Sequence, residues 1–265
     1  ILARAKRVDD ALAVALGGLD DDQLVAVVAV DDVAVCAAVG SGKTTVLVHR
    51  VWWLVRVVGV ALDRIVVLTF TRKAAREIVD RLSGASQGQT PPLMGTFHSV
   101  ARTLLATALP VESLGFTRSF RILDASERDA LLVHLIAHHG LDIKHRRRLQ
   151  ARLTALAEGR VRIGNMRKDD DIVELAERYE ADKRAKNAMD YDDLLVGCGA
   201  LLPQLSQARR PLHIIVDELQ DCDSDQLDLI EALRGDSTRL FAVGDPHQTI
   251  YGWRGSRTDV FALFA

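Results

Sequence analysis

Apolar runs of four to six residues alternate along this chain with longer stretches whose apolar positions recur at helical spacing. Val33-Ala34-Val35-Cys36, Arg64-Ile65-Val66-Val67-Leu68-Thr69, Leu93-Met94-Gly95-Thr96, His213-Ile214-Ile215-Val216 and Leu240-Phe241-Ala242-Val243 each predict a short strand. Helical periodicity runs from Lys43 to about Val58, from about Arg72 to Leu82, and after the third strand to Leu109. Unbroken apolar runs separated by helices predict a parallel sheet covered on both faces. The middle differs. From about Leu114 to Asp190 the pattern is mostly helical, with one weak strand at Phe120-Arg121-Ile122-Leu123 and a helix start at Ser126-Glu127-Arg128-Asp129. The expected organisation is an α/β domain over 1–112 and 190–265, split by a mostly helical insert over 113–189.

Composition narrows the class. The chain has 265 residues, 48% hydrophobic and 26% charged, which supports a real core and excludes a disordered tail or a fibre. Three cysteines, Cys36, Cys198 and Cys222, are too few for a disulfide framework, and Cys198 and Cys222 read as small buried residues. Charge interrupts the longest apolar stretches (Arg56 within Val51 to Leu62), well short of the roughly 20 residues of a membrane span. A net charge of −2 gives no global nucleic-acid footprint, so such binding would need a local patch. One candidate is the basic stretch from Lys144 to Lys168, with Arg146, Arg147, Arg148, Arg152, Arg160, Arg162 and Arg167 against Glu158. A solvated helical face and a phosphate-contacting surface both fit it. His134, His138 and His139 lack the His-Glu-x-x-His order or a cysteine partner, so they do not read as a metal site. Asp169-Asp170-Asp171 reads as the acidic first turn of a helix. The start at Ile1 and the stop within an apolar run at Phe264-Ala265 predict a piece of a longer protein.

The clearest chemistry is at Ala37-Ala38-Val39-Gly40-Ser41-Gly42-Lys43-Thr44, between a predicted strand and a helix. This is a phosphate loop with Ala in place of the first Gly. Small residues let backbone N–H groups turn toward phosphate oxygens, and the helix N-terminus adds its positive end. Lys43 can reach the β- and γ-phosphates of a nucleoside triphosphate, and the Thr44 hydroxyl can hold Mg²⁺. Ala38 places a Cβ where a loop glycine could take positive φ freely, so a weakened nucleotide affinity is the expectation there. Near the other end, the strand His213-Ile214-Ile215-Val216 delivers Asp217 and Glu218. Asp217 would hold Mg²⁺ through water and Glu218 would polarise the attacking water.

In order along the chain, further segments resemble the motifs of superfamily 1 DNA helicases of the UvrD/Rep/PcrA type. Leu19-Asp20-Asp21-Asp22-Gln23 is similar to the adenine-reading Gln segment, and Leu68-Thr69-Phe70-Thr71-Arg72-Lys73-Ala74-Ala75 to TFTNKAA. Gly95-Thr96-Phe97-His98 matches GTFH, and Met189-Asp190-Tyr191-Asp192-Asp193-Leu194-Leu195 resembles a DFDDLL segment. Asp217-Glu218-Leu219-Gln220-Asp221 looks like DExQD. Gly244-Asp245-Pro246-His247-Gln248-Thr249-Ile250-Tyr251-Gly252-Trp253-Arg254-Gly255 resembles GDxxQSIYxxRG.

The resemblance implies a RecA-like P-loop NTPase sheet with a helical inserted subdomain, acting as the N-terminal half of an ATP-dependent 3′-to-5′ DNA helicase or translocase. Gln23 would read adenine; Ala38, Val39, Gly40, Ser41, Gly42, Lys43, Thr44, Thr45, Gln248 and Arg254 would surround ATP; Thr44 and Asp217 would hold Mg²⁺. Glu218, Lys43 and Gln248 would be catalytic. Phe70, His98, Tyr251 and Trp253 would line a channel for single-stranded DNA, with core packing the rival explanation for Phe70. A second RecA-like lobe of the same parent chain would complete the ATP site, because no segment here resembles the later arginine-bearing motifs. The implied location is the bacterial cytoplasm or nucleoid. The alternatives are a helicase subunit of a recombination nuclease and a non-motor DNA-binding module. A small-molecule kinase would leave Phe70, His98 and the Gln248–Arg254 segment unexplained.

Overall fold

The computed structural model describes residues 16–38, 40–85, 90–143, 149, 152–153, 171–245 and 261. Its strands are β1 (Val33–Cys36), β2 (Ile65–Thr69), β3 (Leu93–Thr96), β4 (Arg121–Ile122), β5 (Ala188–Met189), β6 (His213–Val216) and β7 (Arg239–Gly244). Its main helices are α1 (Asp21–Val28), α2 (Lys43–Trp53), α3 (Arg72–Ala85), α4 (Phe97–Thr107), α5 (Ala125–His139), α6 (Ile172–Ala185), α7 (Tyr191–Leu201) and α8 (Ser224–Leu233). The chain forms two compact units, one from residues 1–100 and 202–265, the other from 101–201.

In the first unit five parallel strands lie in the order β1-β7-β6-β2-β3. Every residue of β2 is buried, as are Ile214, Ile215, Val216 and Leu240 to Val243 of the neighbouring strands. These are the continuous β-branched and aliphatic runs that a two-sided sheet requires, and each fully buried aliphatic side chain contributes on the order of 1.5–3 kcal/mol. Val46, Leu47, Val51 and Leu54 from α2 and its continuation, with Ile78 and Leu82 of α3, complete this core. The helix expected to reach Val58 is α-helical to Trp53 and runs on as a π-helical turn, Leu54–Val58, ended by Gly59 at φ 83°. The α/β class is therefore as expected, with the RecA-like strand pattern of a phosphate-loop protein.

The second unit is mostly helical, with β4 and β5 paired in parallel. Leu131, Leu132, Leu135 and Ile136 of α5 pack with Ile172, Leu175 and Tyr179 of α6. The start of α5 lies earlier than the Ser126 expectation. Asp124 is the N-cap: its Oδ1 accepts from Glu127 N at 2.8 Å, and Glu127 Oε2 accepts from Asp124 N at 3.0 Å. Asp171 likewise stands before α6, not inside its first turn, and its carboxylate accepts from Asp142 N at 2.7 Å. Most of the basic stretch from Lys144 to Lys168 lies outside the described residues. No helix among the described residues is long and apolar enough to cross a membrane.

Candidate nucleotide site at the carboxyl edge of the sheet

Because all five strands of the first unit run parallel, their carboxyl ends share one edge, where open α/β sheets bind ligands. From that edge β1 leads into the glycine loop and α2, β6 into Asp217 and Glu218, and β7 into Asp245. Phe70 follows β2 and His98 follows β3, both half-buried.

The loop is built around its backbone. Ala37 N donates to Gly244 O at 2.9 Å, and Ser41 N and Oγ both donate to Ala38 O, at 3.3 and 2.7 Å. Gly40 and Gly42 take φ of 80° and 84°, which Gly adopts without steric cost. Ala38 is not at positive φ: among described non-glycine residues, only Asn187 and Glu218 are. The two turns fall at Gly40 and Gly42, so an Ala at 38 is tolerated. Among the described residues no side chain caps the N-terminus of α2, so its first-turn N–H groups face the loop without a side-chain acceptor there, an arrangement suited to phosphate oxygens.

Gln23 joins this loop from α1. It is the third residue of α1 and closes a capping box, with its Oε1 accepting from Asp20 N at 3.2 Å and its own N donating to Asp20 Oδ1 at 2.8 Å. Its Nε2 donates to Ser41 O at 3.0 Å. A Cβ at Gly42 would stand 2.9 Å from that Nε2, so glycine at 42 serves both the backbone turn and the approach of Gln23.

Lys43 Nζ lies 2.9 Å from Glu218 Oε2, with the two side chains 12% and 35% exposed. Glu218 itself sits in the left-handed region at φ 52°, ψ 51°, a costly backbone for a non-glycine residue and one concentrated at functional sites. Asp217 is buried, and burial together with the Glu218 charge pushes its carboxyl up to about 6 against the pull of Lys43. Asp221 is raised to about 6 in the same way, and its Oδ1 is buried without a hydrogen-bond partner among the described residues. Three carboxylates around one lysine leave uncompensated negative charge. Asp217 and the Thr44 hydroxyl are oxygen donors of the kind a hard divalent cation takes, while among the described residues no group of three or more His, Cys, Asp or Glu side chains is gathered to hold a metal ion.

Sequence reasoning missed one residue here. Gln220 is 3% exposed; its Nε2 donates to Glu218 Oε2 at 2.8 Å and its Oε1 accepts from Asp245 N at 3.0 Å. A Cβ at Gly244 would lie 2.3 Å from Gln220 Oε1, so the glycine before Asp245 leaves room for this bridge. Its signal in the sequence is its place as the Gln of the DExQD-like segment, to which sequence reasoning assigned no role of its own. Lys43, Thr44, Thr45, Gln23, Ser41, Asp217 and Glu218 thus belong to one edge of one unit, with direct contacts joining Lys43 to Glu218 and Gln23 to Ser41. Val39, Gln248, Tyr251, Trp253 and Arg254 lie outside the described residues.

Comparison with known proteins agrees with this geometry. The chain is 33% identical over 268 residues to DNA helicase II of Haemophilus influenzae, covering 94% of this chain and 36% of that protein. It is 35% identical over 265 residues to DNA helicase II of Escherichia coli K12, with 94% and 36% covered. It is 33% identical over 270 residues to the ATP-dependent DNA helicase UvrD1 of Mycobacterium leprae, with 91% and 35% covered. The chain therefore spans about a third of the length of these relatives. Residues 19–265 match the model of the UvrD/REP helicase N-terminal domain, and with the phosphate loop, the acid pair and the parallel sheet in place, the chain belongs to that family.

Proposed function

We propose that this chain is the ATP-binding lobe of an ATP-dependent DNA helicase or translocase of 3′-to-5′ polarity. The observation that carries the reading is the convergence of Lys43, Asp217 and Glu218 on the uncapped N-terminus of α2. In this reading the triphosphate lies along the loop, with Lys43 turned from Glu218 to the β- and γ-phosphate oxygens. Thr44 and Asp217 would hold Mg²⁺, which would supply positive charge to the phosphate oxygens. Glu218, released from Lys43 and still held by Gln220, accepts a proton from the attacking water. Gln248 senses the γ-phosphate and Arg254 links the nucleotide side to the DNA side. Phe70, His98, Tyr251 and Trp253 form the stacking surface for single-stranded DNA. A second RecA-like lobe of the parent chain closes on the nucleotide.

The deciding experiment titrates a fluorescent ATP analogue into the wild-type chain and into Lys43→Ala. Removing the cation that faces the phosphates should abolish most of the affinity. Equal dissociation constants would refute the assignment of the loop.

A further inference from the structure

Arg50 is a buried charge to which the proposed ATP chemistry assigns no role. It lies on α2, about two helical turns beyond Lys43. It is 1% exposed, and its Nη1 donates to Val27 O at 2.7 Å and to Ala29 O at 2.6 Å. Its guanidinium lies 5.2 Å from the centroid of the Phe241 ring. No carboxylate forms an ion pair with it among the described residues, and its Nε lacks a hydrogen-bond partner there. Burial pulls its pKa down to about 10, so it remains a cation at neutral pH. A desolvated charge without an anion is costly, and an aliphatic side chain would fill the space between helix and sheet without that cost.

The two carbonyls explain where the charge is used. They belong to the last turn and the C-cap of α1, a helix with no basic residue in its own last turn. Carbonyls at a helix C-terminus lack intrahelical partners and carry the negative end of the helix dipole. Arg50 supplies both the donor and the positive charge from the neighbouring helix. At its other end α1 is tied to the same segment by Gln23 Nε2 and Ser41 O. Of the eight α1 residues Val27 is fully buried and Ala26 and Val28 pack half-buried against the same core, and the polar ties at the two ends of the helix add to this packing in setting its position.

That position matters for the base. Gln23 Oε1 already accepts from Asp20 N, and Nε2 already donates to Ser41 O. One lone pair and one N–H remain on the amide. They match the N6 donor and N7 acceptor of adenine; guanine offers acceptors at both places. The match depends on where α1 holds the amide relative to the loop.

We propose that Arg50 is a positioning residue for base recognition: acting through α1, it sets the place of the Gln23 amide and so the preference for an adenine over a guanine nucleotide. This rests on the adenine-reading role proposed for Gln23.

The test compares wild type, Arg50→Met and Arg50→Lys in the 265-residue chain, using fluorescent ATP, fluorescent GTP and inorganic tripolyphosphate as probes. Wild type should prefer ATP to GTP. In Arg50→Met that preference should fall by at least about fivefold, the low end of what one two-bond base contact provides. Tripolyphosphate, which does not touch Gln23, should bind within about twofold of wild type. Arg50→Lys, which keeps the charge on a shorter arm, should fall between them, and it carries the test alone should Arg50→Met fail to fold. An unchanged ATP/GTP ratio in a folded variant overturns the proposal. So does a loss of tripolyphosphate affinity in step with ATP, which would make Arg50 a merely structural residue. Equal wild-type affinities for ATP and GTP overturn the adenine role of Gln23 itself, and this inference with it.

Discussion

Lys43 Nζ and Glu218 Oε2 are 2.9 Å apart, so the cation proposed to face the triphosphate and the carboxylate proposed to activate water form an ion pair with each other. The proposed binding of the triphosphate breaks this pair. Glu218→Gln removes the competitor for Lys43 while keeping the shape of the side chain. A partly exposed ion pair is worth up to about 1 kcal/mol, so the analogue should bind as tightly as to wild type or up to about fivefold tighter. Turnover by the longer parent protein should fall about 10²-fold or more. Steady-state turnover within a factor of two of wild type would reject Glu218 as the base.

The second prediction concerns pH. Burial, then the charge of Glu218, raises the Asp217 carboxyl from 3.8 to about 6. Between these values the folded chain binds more protons than the unfolded chain. Stability therefore falls as pH rises through that window, and the penalty persists above it. Asp217→Asn removes the buried charge. It should raise stability at pH 7 by on the order of 1–3 kcal/mol and flatten the decline between pH 4 and 6. It should also remove the Mg²⁺ dependence of nucleotide binding, which in wild type should weaken as pH drops below about 6. Thermal melts across this range, with and without Mg·ATP, test both statements.

In the inserted unit Lys183 is 2% exposed, with Nζ 2.6 Å from Glu180, 2.7 Å from Asp193 and 3.4 Å from Asp190. Burial pulls the lysine pKa down, but the three carboxylates outweigh it and the net shift is upward. Lys183→Met strands Asp190 and Asp193 without their cation and should destabilise the chain by about 3–5 kcal/mol. Adding Asp190→Asn and Asp193→Asn to that variant should recover part of the loss. A melting temperature within 2 °C of wild type (roughly 1 kcal/mol or less for a chain of this size) would sink the claim.

These residues also show what the sequence makes legible. Asp190 and Asp193 stand out as part of an acid-rich segment. Their work is local: each carboxylate caps the backbone N–H of the other, at 2.9 and 3.0 Å, to start α7, and both grip Lys183. The capping could be read from spacing; the lysine partner could not, because it sits on a different helix. The strands and the phosphate loop are legible because unbroken apolar runs and glycine spacing are local signals. Arg50 and Gln220 are not. A lone arginine in a helix reads as a solvated charge, and only the tertiary fold shows the carbonyls of Val27 and Ala29 around it. Gln220 gains its role because β6 and β7 are neighbours, which brings Asp245 N to its side chain.

A DNA contact can be separated from core packing by its chemistry. Trp253→Ala should weaken binding to an oligo-dT strand by about 1–3 kcal/mol, with little dependence on base sequence, as expected for stacking. Arg146→Ala, Arg147→Ala and Arg148→Ala should instead reduce the salt slope, since each phosphate contact releases counterions. Fluorescence anisotropy at several salt concentrations reads both effects. Unchanged affinity in Trp253→Ala would return that residue to the core.

The last prediction concerns the 265-residue chain assayed by itself. Phosphoryl transfer needs positive charge on the transferring group, and an arginine finger supplied in cis or in trans is worth 10³–10⁵ in rate. Lys43, proposed to face the phosphates, pairs with Glu218. Among the described residues, Arg50 is committed to the carbonyls of α1 and Arg210 to those of Leu202, Ala232 and Arg234, so neither is available for the γ-phosphate. Arg254 is assigned to the link between nucleotide and DNA. The relatives are about three times as long, and the missing charge is expected from a second lobe in the parent protein. The chain alone should therefore bind Mg·ATP and single strands weakly, show little DNA-stimulated hydrolysis and separate no strands. A coupled ATPase assay with and without oligo-dT, run beside a forked-duplex unwinding assay, tests this. Robust DNA-stimulated turnover by these 265 residues would place the catalytic arginine within this chain and overturn the need for a second lobe.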